Sequence, residues 1–206
     1  TPSVSPDGKF VYWYNAIDTT WNTYDMASGT EYQITDPATI QTADELNDVP
    51  NFPGSYRTAG WLENDEAILI YDRYDLWKVD PTNATAPVNL TQNGRSEKIN
   101  YRLVRFNPEP NTGIDLSETV LLTGHNEVSR ADAYYAFDLR KNKAPEVLFS
   151  QNYKLGRPVK AEDADLVIFT KEDFKTYPNL IATNLRFKKE TQISDAAPQQ
   201  NEFKWG

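Results

Sequence analysis

The sequence predicts an all-β chain folded as a β-propeller, or part of one, with about four blades of antiparallel sheet. Three observations carry this: a three-part pattern recurs four times, its spacing is nearly constant, and no long run shows helical period. The first marker is a polar turn followed by an apolar strand. It occurs at Ser5-Pro6-Asp7-Gly8 then Phe10 to Tyr14, and at Glu63 to Glu66 then Ala67 to Tyr71. It returns at Asp115 to Glu118 then Thr119 to Leu122, and at Glu162 to Asp165 then Leu166 to Phe169. The second is a strand ending in Asp or Asn: Trp21 to Asp25, Trp77 to Asp80, Tyr135 to Asp138 and Ile181 to Asn184. The third is an apolar residue followed by a hydroxyl: Ile34-Thr35, Leu90-Thr91, Phe149-Ser150 and Ile193-Ser194.

The second marker steps from 25 to 80, 138 and 184, that is by 55, 58 and 46 residues. The third steps from 34 to 90, 149 and 193, by 56, 59 and 44. Two independent markers agree within a few residues at each step, the sequence sign of a repeated unit of several strands. One small twisted sheet cannot bury both faces alone, and stacking several sheets buries them while leaving only short edges.

In order, the blades span about 1–36, 56–92, 99–151 and 152–195. Each holds three clear strands. Weaker stretches, Tyr56 to Gly60, Tyr101 to Phe106 and Arg157 to Lys160, would supply a fourth. Residues 37–55 are polar, acidic and proline-bearing, too long for an ordinary connection, and read as an insertion of functional or mobile character. A single helical turn is expected at Thr42 to Leu46, and an extra turn at Asn107 to Gly113. Residues 196–206 depart from the repeat and read as a linker.

The chain is 39% hydrophobic and 13% aromatic, which suits half-buried pleated surfaces. Its net charge of -9 argues against nucleic acid or an anionic membrane as partner, since both call for clustered Lys and Arg. The mild basic group at Arg186, Lys188 and Lys189 reads as a guarded strand edge. Without cysteine there is no disulfide framework. No apolar run reaches the 18 or so residues of a membrane span.

Candidate chemistry is sparse. The one histidine, His125, falls at an expected connection between strands, and no G-x-S-x-G elbow accompanies it. Metal ligands of the preferred kind are too few for zinc, no Asp run matches a calcium loop, and no glycine-rich stretch cradles a phosphate. No catalytic residue, metal or cofactor is therefore assigned. Paired acids such as Asp72 and Asp75 suit glycoside chemistry in principle, and turn capping accounts for them better.

In a propeller, the loop between the second and third strands of a blade shares a face with the loops joining blades. Here those loops are Asn15 to Thr20, Asp72 to Tyr74, Gly124 to Asp132, and Lys171 to Pro178. Arg73, Tyr74, Arg130, Glu172 and Lys175 are thus the candidate ligand-contacting residues.

The Ser5-Pro6-Asp7-Gly8 turn resembles the repeat shared by TolB-like and prolyl-oligopeptidase-type propellers. More specific are Gly60 to Pro81 (GWLENDEAILIYDRYDLWKVDP), Glu172 to Leu180 (EDFKTYPNL) and Gln192 to Gly206 (QISDAAPQQNEFKWG). Together they resemble the propeller of bacterial prolyl oligopeptidase family serine peptidases, the group that includes dipeptidyl and acylaminoacyl peptidases. The resemblance covers nearly the whole chain. It implies a non-catalytic propeller that gates access and helps bind a peptide substrate. Its intramolecular partner would be an α/β-hydrolase domain beyond residue 206, holding the catalytic residues. It also implies an extracytoplasmic location. The D-W-x-Y-E-E motif of the dipeptidyl branch has no counterpart here. The alternative is a TolB-like protein-interaction propeller without enzymatic activity. A part-propeller exposes open sheet faces, so pairing into a homo-oligomer is also expected.

Overall fold

A computed structural model describes residues 1–106, 112–117, 119–141 and 143–203. Most of the expected turn over 107–113, Glu118 of the third polar turn, and the tail from 204 lie outside the described residues.

Four antiparallel meanders form four separate sheets. The first comprises β1 (Ser3–Val4), β2 (Phe10–Asn15), β3 (Thr20–Asp25) and β4 (Thr30–Gln33). The second comprises β5 (Thr58–Trp61), β6 (Ile68–Tyr71), β7 (Leu76–Val79) and β8 (Val88–Asn89). The third comprises β9 (Ile99–Val104), β10 (Thr119–Asn126), β11 (Asp132–Asp138) and β12 (Glu146–Gln151). In the fourth, β13 (Lys154–Leu155) and β14 (Val159–Lys160) both pair with β15 (Val167–Glu172), and β16 (Asn179–Thr183) and β17 (Thr191–Gln192) follow. A single helical turn, α1 (Gly94–Glu97), joins the second sheet to the third.

The strands alternate as period-2 patterning requires, and each inner sheet buries both faces. On β6, Ile68 and Ile70 face the first blade while Leu69 and Tyr71 face the third. Between the third and fourth blades, Tyr134, Phe149, Phe169 and Phe187 stack with ring centroids 4.6–6.0 Å apart. Three apolar clusters fill the three successive junctions, and among the described residues no cluster joins the first blade to the fourth. Among the described residues the first and fourth units thus share no core. The end face of the fourth blade leaves Val159, Leu180 and Ile193 exposed.

The repeat markers have a hydrogen-bonding cause. Thr35 Oγ1 accepts the Trp21 N–H at 2.7 Å, Thr91 Oγ1 that of Leu76 at 3.1 Å, and Ser194 Oγ that of Leu180 at 2.8 Å. In the same three blades the preceding residue, Ile34, Leu90 or Ile193, donates its N–H to the carbonyl of that partner. One hydroxyl thus completes the ladder where the outer strand ends. Ser150 differs because β12 runs on to Gln151, so the backbone ladder itself covers this position.

The second marker caps the last hairpin of each blade. Asp25, Asp80, Asp138 and Asn184 each accept the N–H two residues on, at 2.8–3.1 Å, an Asx turn. Asp7 is not one of this set; its own N–H is what is bonded, to Asp65 of the second blade.

These turns are expected to make the fold acid-sensitive. The Ala27 N–H and the Ser28 hydroxyl hold the Asp25 carboxyl below the usual carboxylate range. Arg140 does the same for Asp138. At Asp80, burial pushes upward, but the bonds from Thr82 and Thr85 outweigh it. A folded-state pKa below the unfolded value of about 3.9 gives stability that is complete above that value and lost as pH falls through the folded one. The melting temperature is expected to hold down to about pH 5 and to drop progressively below about pH 4. A profile that stays flat to pH 2 on thermal melts would exclude this role for the turns.

Two local expectations need correction. Thr42 to Leu46 forms no helical turn; Ala43 instead bridges to Ser55 across the insertion. The helical turn lies at Gly94–Glu97. Gly124, His125 and Asn126 belong to β10, and the connection is confined to 127–131. Glycine is needed inside that strand because a Cβ at 124 would stand 2.5 Å from the Tyr135 ring and 2.9 Å from Ile99.

Candidate functional site

The β2–β3, β6–β7 and β10–β11 loops share a face with the 37–55 insertion and α1, as contacts across blades show, and the β15–β16 loop joins the β10–β11 loop in lining one pocket. Thr42 of the 37–55 insertion donates to the Thr19 carbonyl of the β2–β3 loop. Arg95 of α1 pairs with Glu45 of the insertion at 2.6 Å and with Asp72 of the β6–β7 loop at 3.2 Å. Arg73 forms a bidentate pair with Glu127 of the β10–β11 loop at 2.8 Å.

At the centre of this face the chain is closely tied. The Asp72 carboxylate accepts the N–H groups of Tyr74 and Asp75 at 2.7 and 2.5 Å. Burial nevertheless pushes its pKa up, and the Arg95 charge only partly offsets this. Asp75, 1% exposed, accepts the Thr91 hydroxyl at 2.6 Å, the Gly94 N–H at 2.9 Å and the Arg95 N–H at 3.0 Å. Both acids are buried and already bonded, Asp72 by its own loop and Arg95, and Asp75 by the 91–95 segment, so neither reaches a substrate as a glycosidase acid would have to. Tyr74 is buried, donates its hydroxyl to Glu127 at 2.8 Å, and has Arg73, Arg95 and Lys98 each 5.1 Å from its ring centroid. Desolvation pushes Glu127 up, and the bonds from Tyr74 and Arg73 more than reverse it, so its carboxyl titrates low. Arg73 and Tyr74 thus clamp the second blade to the third.

Arg130 and Glu172 meet elsewhere on the same face. With Lys175, Tyr153 and Phe174 they line a pocket of about 610 Å³ between the third and fourth blades. Lys154 pairs with Glu172 at 3.4 Å, and Arg130 takes a left-handed backbone at φ 62°. The structure therefore splits the five predicted residues into a buried clamp and an open pocket.

A second cleft of about 350 Å³, lined by β9, β10, β11 and the segment after β13, was not foreseen. It contains Arg102, Arg157, His125 and Asp132. The His125 Nδ1 lies 2.6 Å from Asp132 Oδ1. Strand alternation over Ile99–Val104 carries the one available signal: it places Arg102 on the same face as Val104, where an apolar residue would fit the junction. Among the described residues no three His, Cys, Asp or Glu side chains group to hold a metal ion, and no helix is long and apolar enough to cross a membrane.

Oligogalacturonate lyase from Vibrio parahaemolyticus is similar at TM-score 0.60 and 12% identity, over 94% of this chain and 51% of that one. The chain is a β-propeller fold. It spans about half the length of that neighbour. A putative TolB from Agrobacterium tumefaciens aligns at TM-score 0.49 and 12% identity, over 96% of this chain and 62% of that one. Puromycin hydrolase aligns at TM-score 0.44 and 13% identity, over 94% and 29%. No family model and no curated protein matches the sequence. At such identities the likeness speaks for the fold, and the sites above stand on their own geometry.

Proposed function

We propose that this chain is the non-catalytic propeller region of a prolyl oligopeptidase-like serine peptidase, gating access and helping to hold peptide substrate while hydrolysis occurs on another domain. The observation that carries this reading is the apolar character of the loop face. Ile17, Val128 and Phe174 stand exposed at the tips of three of its loops, and Leu46, Val49 and Phe52 stand exposed along the 37–55 insertion. Exposed apolar residues gathered on one side mark a surface that another body covers. Asp and Asn side chains close turns on both faces, so the apolar tips and not the turn chemistry set the loop face apart. The segment resembling the family's lead-in, from Gln192 on, also leaves from the loop face, with the Ala196 N–H held by Asn179 Oδ1 at 3.0 Å. A cover on that side works by keeping large folded chains and bulk water from a reacting site.

The test is the mass of the native protein from its source, together with its C-terminal peptides. The expected result is a mass far above 23.5 kDa and a peptide containing G-x-S-x-G. A native protein ending near residue 206 sinks the peptidase reading and leaves a TolB-like protein-binding propeller. Peptide hydrolysis by the isolated chain would refute the non-catalytic role.

A further inference from the structure

We infer that the cleft between the third and fourth blades binds the carboxylate of a small ligand with an apolar body, gripped by Arg102 and Arg157. The inference stands without the peptidase reading. It begins with Arg102, which has no carboxylate in direct contact among the described residues; the Asp72 charge acts on it only from further off. Arg102 is half-buried on β9, and its guanidinium donates to the Tyr101 carbonyl at 2.6 Å and the Arg73 carbonyl at 3.2 Å. It lies 4.6 Å from the centroid of the Tyr71 ring. A guanidinium has five N–H groups, so these two bonds leave three over. Among the described residues it forms no ion pair, and desolvation lowers its pKa. Cations removed from water are ordinarily paired.

The second cation is Arg157, exposed at the mouth of the same cleft and free of any ion pair or hydrogen bond among the described residues. Arg102 and Arg157 line the same cleft, so the two guanidiniums serve one region. The only carboxylate in the lining, Asp132, is already committed. One of its oxygens faces His125 Nδ1 at 2.6 Å and the other accepts the Leu155 N–H at 3.0 Å. A chain of net charge -9 thus holds a cleft with two guanidiniums that make no direct ion pair among the described residues.

The remaining walls select among anions. Leu103, Val104, Tyr134 and Leu155 present apolar surface. A volume of about 350 Å³ is at the small end for ligand sites. A planar carboxylate matches the guanidinium fork, and an apolar body fills the walls without stranding polar groups. Inorganic phosphate would have to shed more water for the same two forks and would leave the apolar wall unfilled.

The test is a titration of the chain followed through the amide signals of Thr123, Gly124, Ala133 and Gly156. The probes are N-acetylleucine, its primary amide, inorganic phosphate and a tetrapeptide acid ending in leucine. N-acetylleucine is expected to shift these signals and its amide to leave them in place. Arg157→Gln should weaken the response about tenfold, the usual loss for one charge-assisted bond, with signals outside the cleft unchanged. Arg102→Lys keeps the charge, loses the fork and should also bind less. Tighter binding of the tetrapeptide supports a peptide C-terminus as the ligand; tighter binding of N-acetylleucine supports a small free acid. Equal response to acid and amide, stronger response to phosphate, or an unchanged Arg157→Gln titration would overturn the assignment.

Discussion

Replacing Asp75 with alanine is expected to destabilise the chain by about 3–5 kcal/mol, because two backbone N–H groups and a hydroxyl lose their acceptor at about 1–3 kcal/mol for each one left buried and unmet. Asp75 organises the exit from the second blade. Its carboxylate receives the Thr91 hydroxyl, whose oxygen in turn receives the Leu76 N–H, and it caps the N–H groups of Gly94 and Arg95. Removing it strands two backbone donors and loosens the hydroxyl that ends the outer strand. The site has no slack, because a Cβ at Gly94 would already lie 2.6 Å from the carboxylate. Asp72→Asn makes the sharp contrast. The oxygen that takes both N–H bonds survives in the amide, the burial that raises the Asp72 pKa no longer acts against a charge, and Arg95, which loses its 3.2 Å contact with the other oxygen, keeps Glu45 at 2.6 Å. That variant should stay within about 1 kcal/mol of the parent. Urea unfolding of both variants decides the matter, and a loss below about 1 kcal/mol for Asp75→Ala would refute the hub role.

The hub also shows how far the sequence could be read. The repeat of Thr35, Thr91 and Ser194 was visible because one hydroxyl performs the same backbone task in three blades. Asp25, Asp80, Asp138 and Asn184 were visible for the same reason. Local hydrogen bonds act over a few residues, so they leave regular marks. The Arg102 cleft left almost none, since Arg102 and Arg157 are 55 positions apart and meet only once two blades stack. The buried clamp was half legible: loop geometry put Arg73 and Tyr74 on the correct face, but nothing in DRYD announced that Glu127 would receive both. His125 was misplaced because Gly124 reads as a turn signal, whereas that glycine makes room for the ring of Tyr135. The helical turn at Gly94–Glu97 is too short to show a period at all.

Asp65 supports the second large prediction, a latch between the first two blades. The residue is 2% exposed and sits in the polar turn of the second blade, yet its carboxylate serves the first. It accepts the Ser5 hydroxyl at 2.5 Å and the N–H groups of Asp7 and Lys9 at 3.2 and 3.1 Å. Ser5 Oγ also accepts the Phe10 N–H at 3.0 Å, and Lys9 Nζ reaches the Asn64 carbonyl at 2.6 Å. The S-P-D-G turn is therefore a socket for a carboxylate from the next blade, which accounts for its serine and for Gly8 at φ 73°. Asp65→Ala should cost about 3 kcal/mol, since it leaves two backbone donors without their acceptor. The backbone adds a distinguishing feature. Asp65 itself lies at φ 52°, a left-handed conformation that costs a residue with Cβ about 1–2 kcal/mol and glycine almost nothing. Asp65→Gly should consequently be no worse than Asp65→Ala, although glycine loses more entropy on folding. The bond from Ser5 supplies the remaining test. In a cycle with Ser5→Ala, the two losses should fall short of additivity by about 1 kcal/mol. Additive losses would mean that Ser5 and Asp65 act separately, and the S-P-D-G turn would then owe its serine to the Phe10 N–H alone.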